Sequence, residues 1–346
     1  EPTAQIIHHC RRFDGSEMPL SPRNVLRRII GLFEAEGWQP VVAPEMEFYL
    51  VQVEPDEDIP LKPPVGRTRR TEAGMQSFSL DSINEYDEAQ GIQLDTLIHE
   101  MGTAQMEINL DHGDPLALAD QAFLFKRTIR ELAIRHQMYA TFMAKPMQGQ
   151  PGSAMHIHHS VVDRTTGDNI FSRPDGEPTE AFFHYIGGLQ AFLPAATAFF
   201  APYVNSYRRL SRYTSAPINL SWGYDNRTCG LRVPHSGPQA RRIENRLAGV
   251  DVNPYLAIAA SLACGYLGMK QGIKPSEPLV GSAYEQPHQL PRHLDMAVEK
   301  LMACEPLVEV FGEHFIQTYS AIKEAEYSEY FDVVSPWERR FLLLNV

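Results

Sequence analysis

Cysteine is scarce in this sequence, and no two cysteines are close together. The four are Cys10, Cys229, Cys264 and Cys304, and no C-x-x-C pair occurs. Such wide spacing argues against a disulfide framework and against a thiolate zinc site, and it favours a reducing compartment. We therefore expect a cytoplasmic protein.

Positive charge is also in deficit. The 346 residues include 31 Lys and Arg against 43 Asp and Glu, which gives a formal net charge of −12. A protein whose main partner is nucleic acid needs a basic surface to meet the phosphates. We expect no nucleic-acid partner, whereas a cationic substrate is compatible with this balance.

Long apolar runs of the kind that cross a membrane are missing too. Residues 185–207 carry no charged side chain, but Pro194 and Pro202 interrupt them. This composition favours a buried core helix with a proline break, so we expect no membrane partner. The first residues lack the pattern of a signal peptide. Since the chain does not begin with Met, we expect it to be part of a longer protein.

What the sequence does contain is strands with charged residues on one face. The central strand is VVAPEMEFYLVQV, at residues 41–53, which is rich in β-branched and aromatic residues. Residues i and i+2 of a strand point to the same side, so Glu45 and Glu47 project together. A cation between them would offset the cost of two adjacent carboxylates. The simpler alternative for one E-x-E pattern is a solvated polar face.

Three later segments repeat this alternation: AQMEINL at 104–110, MHIHHSVVD at 155–163 and QARRIENRL at 239–247. Their polar faces carry Gln105, Glu107 and Asn109; His156, His158 and Ser160; and Arg242, Glu244 and Arg246. Taken alone, an Arg-Glu-Arg row can also be a surface salt-bridge ladder. Taken together, the four strands predict an antiparallel sheet whose polar face is a binding site.

The segments between these strands predict helices and one long loop. Ser21-Pro22 is typical of a helix start, and Gly37 of its end. Further helices are predicted at 92–101, at 115–139 and at 252–269, with a short strand at 141–147. Residues 54–74, rich in proline and charge, are predicted to be a loop, either a disordered surface excursion or a loop that folds over a site or a neighbouring subunit.

The residue types on the polar strands indicate the chemistry. Carboxylates with one or two histidines and no thiolate suit Mg²⁺ or Mn²⁺. Arginines suit phosphates and carboxylates, which they bind with two parallel hydrogen bonds. Metal ions and arginines on one surface favour phosphoryl transfer from a nucleotide, although neither a Walker A motif nor a kinase glycine loop is present. The residues alone thus predict an ATP-dependent transferase or ligase.

Six motifs also carry a resemblance to a known family. In chain order, PEMEFYL, HEMGTAQMEINL, GSAMHIHHS, NSYRRL, NRTCGLRVP and ARRIENRL are similar to the catalytic domain of the glutamine synthetase family. The similarity runs from about Glu45 to Tyr255, and SPWERRFLLLNV is similar to the C-terminal end of one branch. The resemblance implies an α/β (α+β) fold, with a curved antiparallel sheet flanked by helices. Residues 1–346 would be one catalytic domain, with 1–20 a linker remnant and the family's small N-terminal β-grasp domain outside this chain.

The resemblance also implies roles for individual residues. Two or three Mg²⁺ or Mn²⁺ ions would be held by Glu47, Glu100 and Glu107 on the glutamate and amine side, and by Glu45, His156 and Glu244 on the ATP side. His158 and Ser160 would lie near ATP, and Arg209 with Gly152 would hold the carboxylate of glutamate. Arg227 and Arg242 would neutralise the transferring γ-phosphate, with Arg232 and Arg246 completing that cluster. As an alternative, Arg232 and Arg246 are structural partners of Glu244.

The implied reaction forms γ-glutamyl phosphate from ATP and glutamate, and an amine then displaces the phosphate. Ammonia-using members carry a glutamate six residues after the arginine of the N-S-Y-x-R-L motif, where this chain has Ser215, and an asparagine where it has Pro151. With these substitutions, the chain is similar to the γ-glutamylpolyamine synthetase branch of the family, which uses putrescine or related amines. The alternatives are an enzyme that uses ammonia or ethanolamine, and a non-catalytic relative.

Tyr213 and Trp222 could line the amine pocket or simply pack. The family assembles as homo-oligomeric stacked rings, commonly of twelve subunits.

Overall fold

A computed structural model of the protein describes residues 5–54, 56, 59–65 and 94–346. Most of the loop predicted at 54–74 lies outside these residues. The helices are α1 (Pro22–Ala35), α2 (Pro115–Arg135), α3 (Glu180–Phe200), α4 (Val204–Arg209), α5 (Pro254–Gln271), α6 (Leu294–Met302), α7 (Glu305–Phe311), α8 (Glu313–Phe331) and α9 (Pro336–Leu342). The strands are β1 (Trp38–Gln52), β2 (Leu94–His99), β3 (Gln105–Leu110), β4 (Met138–Thr141), β5 (Met155–Asp163), β6 (Trp222–Tyr224), β7 (Leu231–Val233) and β8 (Ile243–Asn245).

Local sequence signals account for several of the helix ends. Helix α1 follows an extended Ser21 and has Pro22 in its first turn, where a missing N–H costs nothing. Asp114 caps α2 by accepting a hydrogen bond from the Ala117 N–H at 2.8 Å. Asn253 caps α5 in the same way, and α5 ends at Gly272 in a left-handed conformation.

The described strands form one open sheet in the order β2-β3-β1-β5-β8-β7-β6, with β4 pairing with β1. The predicted α/β fold, a sheet flanked by helices, is therefore confirmed. The antiparallel prediction holds for every described pair except β6 and β7, which are parallel. The parallel pair is possible because residues 225–230 leave β6 and return to the start of β7 beside it.

The strand register places the polar residues of four strands on one face. Glu47 pairs with Glu107 of β3, Glu45 pairs with His156 of β5, and His158 pairs with Glu244 of β8. Directly paired residues point to the same side of a sheet. The polar residues predicted strand by strand therefore meet across the sheet.

Three predicted segments differ from the structure. Residues 94–99 form strand β2, not part of a helix at 92–101, because their main chain pairs with β3. Such pairing between distant segments overrides a local helical pattern. The helix predicted to reach residue 139 ends at Arg135. Gln137 then adopts a left-handed φ of 58°, and β4 occupies 138–141, ahead of the strand predicted at 141–147.

The apolar segment at 185–207 lies mostly in α3, which packs against α5 in the core. Pro194 lies inside α3, as expected for a core helix with a proline break. None of the helices in the described part of the chain is long and apolar enough to span a membrane. The two helices meet at Gly188 and Gly268, where a Cβ on Gly188 would lie 2.5 Å from Gly268 Cα. Glycine at this crossing lets the two backbones touch.

We predict that Gly188→Ala lowers the free energy of unfolding by about 1–3 kcal/mol, because the added methyl would also lie 2.3 Å from the Cys264 carbonyl oxygen. Gly31→Ala in the interior of α1 is the matched control. Among the described residues, no atom outside its chain neighbours and the backbone of α1 lies within 4 Å of its added Cβ, so it should stabilise the protein by about 0.5–1 kcal/mol. Urea denaturation of both variants measures the difference. Equal changes in the two would contradict the close crossing.

Candidate active site

Two groups of metal-ligating side chains lie on the polar face of the sheet. Glu47, Glu100 and Glu107, here called the acidic set, each offer an oxygen, and these atoms lie within 4.8 Å of one another. Glu45, His156 and Glu244, here called the histidine set, meet the same limit. Among the described residues, these are the groups of this kind, and they are the same two groups that the family resemblance implied.

The acidic set is assembled from three neighbouring strands. Glu47 and Glu107 are paired across β1 and β3, and Glu100 follows the end of β2. The Glu100 N–H donates to the Gln105 carbonyl oxygen at 2.8 Å, which fixes the turn that carries this carboxylate. The main chain thus brings a third carboxylate to a pair that already face each other.

Burial makes the acidic set a costly arrangement without a cation. It raises the pKa of Glu47 to about 7 and, together with the nearby Glu45, Glu47 and Glu100, raises that of Glu107 to about 8. Hydrogen bonds to Glu47 Oε2 from the Ala154 N–H at 2.8 Å and from Gln105 Nε2 at 3.2 Å offset part of this cost. A divalent ion would supply the remaining positive charge.

Neighbouring side chains stabilise the charged carboxylates of the histidine set. His156 Nδ1 lies 3.3 Å from Glu45 Oε2 and 3.5 Å from Glu244 Oε1. Burial lowers the pKa of His156 to about 4, so the imidazole is neutral, which is the form that binds metals. Burial acts to raise the pKa of Glu45, but hydrogen bonds from His156 and His158 outweigh it and keep Glu45 ionised.

Both groups have the donor chemistry of a hard divalent ion. Three carboxylates in one, and two carboxylates with a neutral imidazole in the other, suit Mg²⁺ or Mn²⁺ and include no thiolate. The positions of the residues agree with this chemistry, because all six side chains project from one face of the sheet or from the turn next to it. The residues fit such ions. Their assignment to separate substrates stays a prediction.

Two arginines of the site are held against Glu244. Arg232 Nη1 donates to Glu244 Oε2 at 2.6 Å, and Arg246 Nη1 donates to Glu244 Oε1. Burial acts to raise the pKa of Glu244, but Arg246, together with His156 and His158, outweighs it and lowers this pKa to about 2. The contacts are those of the structural alternative for Arg232 and Arg246. The Arg246 Nε is buried without a hydrogen-bond partner among the described residues, so it is available to an anion.

The other predicted phosphate-binding residues lie on the more open side. Arg242 Nε donates to His158 Nδ1 at 3.2 Å, and Arg242 is partly exposed. Arg227 is exposed and lies near Asp225, whose pKa it helps to lower. Ser160 continues the polar face of β5 and is partly exposed. These three residues are therefore accessible from the solvent, and their contact with a nucleotide stays a prediction.

Arg209 and Gly152 are in direct contact. A Cβ at position 152 would lie 2.7 Å from Arg209 Cγ, so only glycine allows this approach. Arg209 is buried, and its Nη1 and Nη2 donate to the carbonyl oxygens of Leu247 and Arg246 at 2.9 and 3.0 Å. The predicted role, holding the carboxylate of glutamate, stays a prediction, since both nitrogens support the main chain in this structure.

The segment that carries Ser215 lies at the surface. Ser215 and Tyr213 are exposed and both have left-handed φ angles, 62° and 60°. The Tyr213 ring lies 5.4 Å from that of Tyr284. Trp222 instead packs in the core and donates from Nε1 to the Ser276 carbonyl oxygen at 2.7 Å. Of the two aromatic residues considered for the amine pocket, Trp222 therefore serves packing.

One polar residue of the site had no role in the sequence analysis. Gln105 was placed on the polar face of β3, and the structure shows it buried and bonded to Glu47. The alternation along β3 predicted that the Gln105 side chain points to the same face as Glu107. Its partners could not be found in this way because they lie on other strands and loops.

Comparison with known proteins gives a consistent result. The family profile described as "Glutamine synthetase, catalytic domain" matches residues 19–342. Gamma-glutamylputrescine synthetase PuuA of Escherichia coli (strain K12) is 35% identical over 96% of this chain and 73% of its own length. Glutamate–isopropylamine ligase of a Pseudomonas species is 34% identical, with coverage of 98% and 76%. Glutamine synthetase of Pyrococcus horikoshii is also 34% identical, with coverage of 92% and 73%.

Solved structures agree with the sequences. A GmaS chain without ligand superposes with a TM-score of 0.81 at 32% identity, over 96% of this chain and 78% of that one. A GmaS complex with ADP gives a TM-score of 0.82 at 30% identity, over 96% and 79%. The similarity therefore extends over almost the whole chain and not only over the polar face of the sheet.

We predict that Mn²⁺ binding releases protons at pH 6.5, because Glu47 and Glu107 have raised pKa values of about 7 and 8 and must ionise to bind it. Glu45, Glu100, Arg209 and Arg246 are the other charged groups that affect them. Calorimetric titration in buffers of different ionisation enthalpy should show roughly one to two protons released at pH 6.5 and almost none above pH 9. The apparent affinity should rise with pH up to about 8 and then level off.

The control for this titration is Glu107→Gln, which removes the group with the higher pKa. It should release about one proton fewer at pH 6.5 and bind Mn²⁺ more weakly. If the wild-type heat at pH 6.5 were the same in every buffer, the carboxylates would already be ionised. The repulsion inferred for the acidic set would then be wrong.

Proposed function

The chain belongs to the glutamine synthetase family, and on that premise we propose that it joins the γ-carboxylate of glutamate to a polyamine such as putrescine, at the expense of ATP. Its relatives are ligases of the same general reaction, and the chain is a glutamate–amine ligase. The observation that carries the proposal is the pair of ligand groups on one polar face, bordered by arginines. The identity of the amine rests on separate observations.

The site provides for each half of this reaction. Divalent ions in the two groups would neutralise phosphate and carboxylate charge, which is the chemistry they supply when bound. Arg242 and Arg227 are accessible to the oxygens of the transferring phosphoryl group. Transfer gives ADP and γ-glutamyl phosphate. The amine nitrogen then bonds to the carbonyl carbon of the γ-glutamyl phosphate, the bond from that carbon to the phosphate oxygen breaks, phosphate leaves, and the amine nitrogen loses a proton.

Residue Ser215 supports an amine larger than ammonia. It stands where the ammonia-using branch of the family carries a glutamate, six residues after Arg209. A hydroxyl offers no negative charge to ammonium and leaves more space. The two relatives named for alkyl amines, putrescine and isopropylamine, are about as similar to this chain as the glutamine synthetases are. Overall identity does not separate the amines, so the choice of amine rests on this local substitution.

The net charge of −12 favours putrescine, which carries two positive charges, over a monoamine. The alternatives are isopropylamine or a similar small alkyl amine, and ammonia. We also propose a cytoplasmic homo-oligomer of stacked rings, in which residues 1–346 act as one catalytic domain. The chain covers about three quarters of the length of its curated relatives. The wide spacing of the cysteines supports the proposed cytoplasmic location.

The substrate test is phosphate release with ATP, Mg²⁺ and glutamate, with putrescine, spermidine, isopropylamine, ethanolamine, ammonium or no amine. We expect release to depend on an added amine and to be fastest with putrescine. Glu45→Ala should abolish it, because that carboxylate belongs to the histidine set. If ammonium were the best substrate, the proposed amine would be wrong. If no amine gave release above that of Glu45→Ala, the ligase activity would be contradicted.

We predict that Ser215→Glu increases kcat/KM for ammonium roughly tenfold and decreases that for putrescine, because a carboxylate attracts the small cation and occupies space. Ser215→Gln is the control, since it has the same shape without the charge: it should decrease kcat/KM for putrescine to a similar extent and leave that for ammonium unchanged. Steady-state kinetics with both amines decide. A gain for ammonium in Ser215→Gln as well would show that size, and not charge, determines the choice.

A further inference from the structure

The buried side chain of Gln105 joins three separate parts of the site. Its Nε2 donates to Glu47 Oε2 at 3.2 Å and to the Gly152 carbonyl oxygen at 3.0 Å. Its Oε1 accepts from the Gly102 N–H and from the Tyr49 hydroxyl, both at 3.1 Å. The amide therefore contacts a carboxylate of the acidic set, the turn after Glu100 and the loop at 149–152.

This pattern uses the full hydrogen-bonding capacity of a primary amide. Two N–H groups face acceptors, and the oxygen accepts from the Gly102 N–H. The oxygen also shares the single proton of the Tyr49 hydroxyl with the Pro151 carbonyl oxygen, which lies 2.9 Å from that hydroxyl. The Gln105 side chain is 1% exposed, so water does not replace a lost partner. A buried amide that loses one partner leaves the other group unsatisfied, which costs about 1–3 kcal/mol. Gln105 is thus held in one orientation, and it holds its partners in turn.

The fit around the amide is close on the side of Glu100. A Cβ at Gly102 would lie 2.5 Å from Gln105 Oε1 and 2.0 Å from the Tyr49 hydroxyl. The Gln105 carbonyl oxygen also accepts from the Glu100 N–H at 2.8 Å. The turn that carries Glu100 therefore rests on both the side chain and the main chain of Gln105. A displacement of the amide would move two of the three carboxylates of the acidic set.

The same amide reaches the loop next to Arg209. Gly152 contacts Arg209, and the Tyr49 hydroxyl lies 2.9 Å from the Pro151 carbonyl oxygen. The loop is therefore fixed through Gln105 and Tyr49 to the strands that carry the acidic set. Because both connections use side-chain hydrogen bonds, each can be removed without changing a charged residue.

We propose that Gln105 is a positioning residue that couples divalent-ion binding at the acidic set to glutamate binding at the 149–152 loop. This rests on the proposed function only for the identity of glutamate as the ligand of that loop. Coupling of this kind is reciprocal: glutamate tightens the ion by the same factor by which the ion tightens glutamate. Groups that orient metal ligands typically contribute 10–100-fold to metal affinity.

The test measures Mn²⁺ binding by electron paramagnetic resonance, with and without glutamate and with no amine or ATP. Wild type should bind Mn²⁺ more tightly with glutamate. Gln105→Leu should bind Mn²⁺ about 10–100-fold more weakly and lose the effect of glutamate. The matched control is Gln190→Leu. The Gln190 side chain likewise donates to a carbonyl oxygen, that of Leu220, and to a hydroxyl, that of Ser276, but outside the site. It should match wild type.

A second variant tests the loop connection alone and preserves the fold. Tyr49→Phe removes the hydroxyl but leaves the bond between Gln105 and Glu47. Mn²⁺ affinity without glutamate should change less than threefold, while the effect of glutamate should shrink.

The inference is overturned if Gln105→Leu keeps the wild-type effect of glutamate on Mn²⁺ binding, and the connection through the loop is overturned if Tyr49→Phe keeps it. It is also overturned if Gln190→Leu loses as much as Gln105→Leu, since that would be a general loss of stability. Failure of the proposed function gives a different result. Wild type would then release no phosphate with any amine, even where the Mn²⁺ and glutamate effects are present.

Discussion

Repulsion among buried carboxylates is the constraint on which the site depends. Glu47, Glu107 and Glu244 are buried on strands of one sheet, Glu45 is partly buried beside them, and Glu100 joins them from a turn. Bringing such groups together opposes folding unless positive charge or hydrogen bonds compensate. The arrangement is therefore informative, because a protein without a cationic ligand would gain stability by losing it.

The compensation differs between the two groups. In the histidine set, Arg232 and Arg246 hold Glu244 ionised, so this part is formed before any ion binds. In the acidic set, burial raises the pKa values of Glu47 and Glu107, neighbouring carboxylates raise that of Glu107 further, and the hydrogen bonds to Glu47 come from neutral groups. The histidine set is thus preorganised by charges of the protein itself, whereas the negative charge of the acidic set would be compensated by the divalent ion. This difference would allow the two ions to bind in sequence.

The sheet makes this arrangement possible and explains how much of it the sequence predicts. A period of two identifies the inward side of each strand, so Glu45, Glu107, His156 and Glu244 were found without the structure. Pairing between strands depends on distant residues, so β2 was mistaken for a helix and the parallel pair of β6 and β7 was not foreseen. Side-chain contacts were the least predictable, as the bonds of Gln105 show.

The central claim is that the two groups each hold a divalent ion on one face of the sheet. Its most direct test is a crystal grown with Mn²⁺ and a nucleotide, with diffraction measured at the manganese absorption edge. We predict one anomalous peak among Glu47, Glu100 and Glu107, and another among Glu45, His156 and Glu244. Absence of both peaks at saturating Mn²⁺, with all six side chains ordered, would contradict the claim.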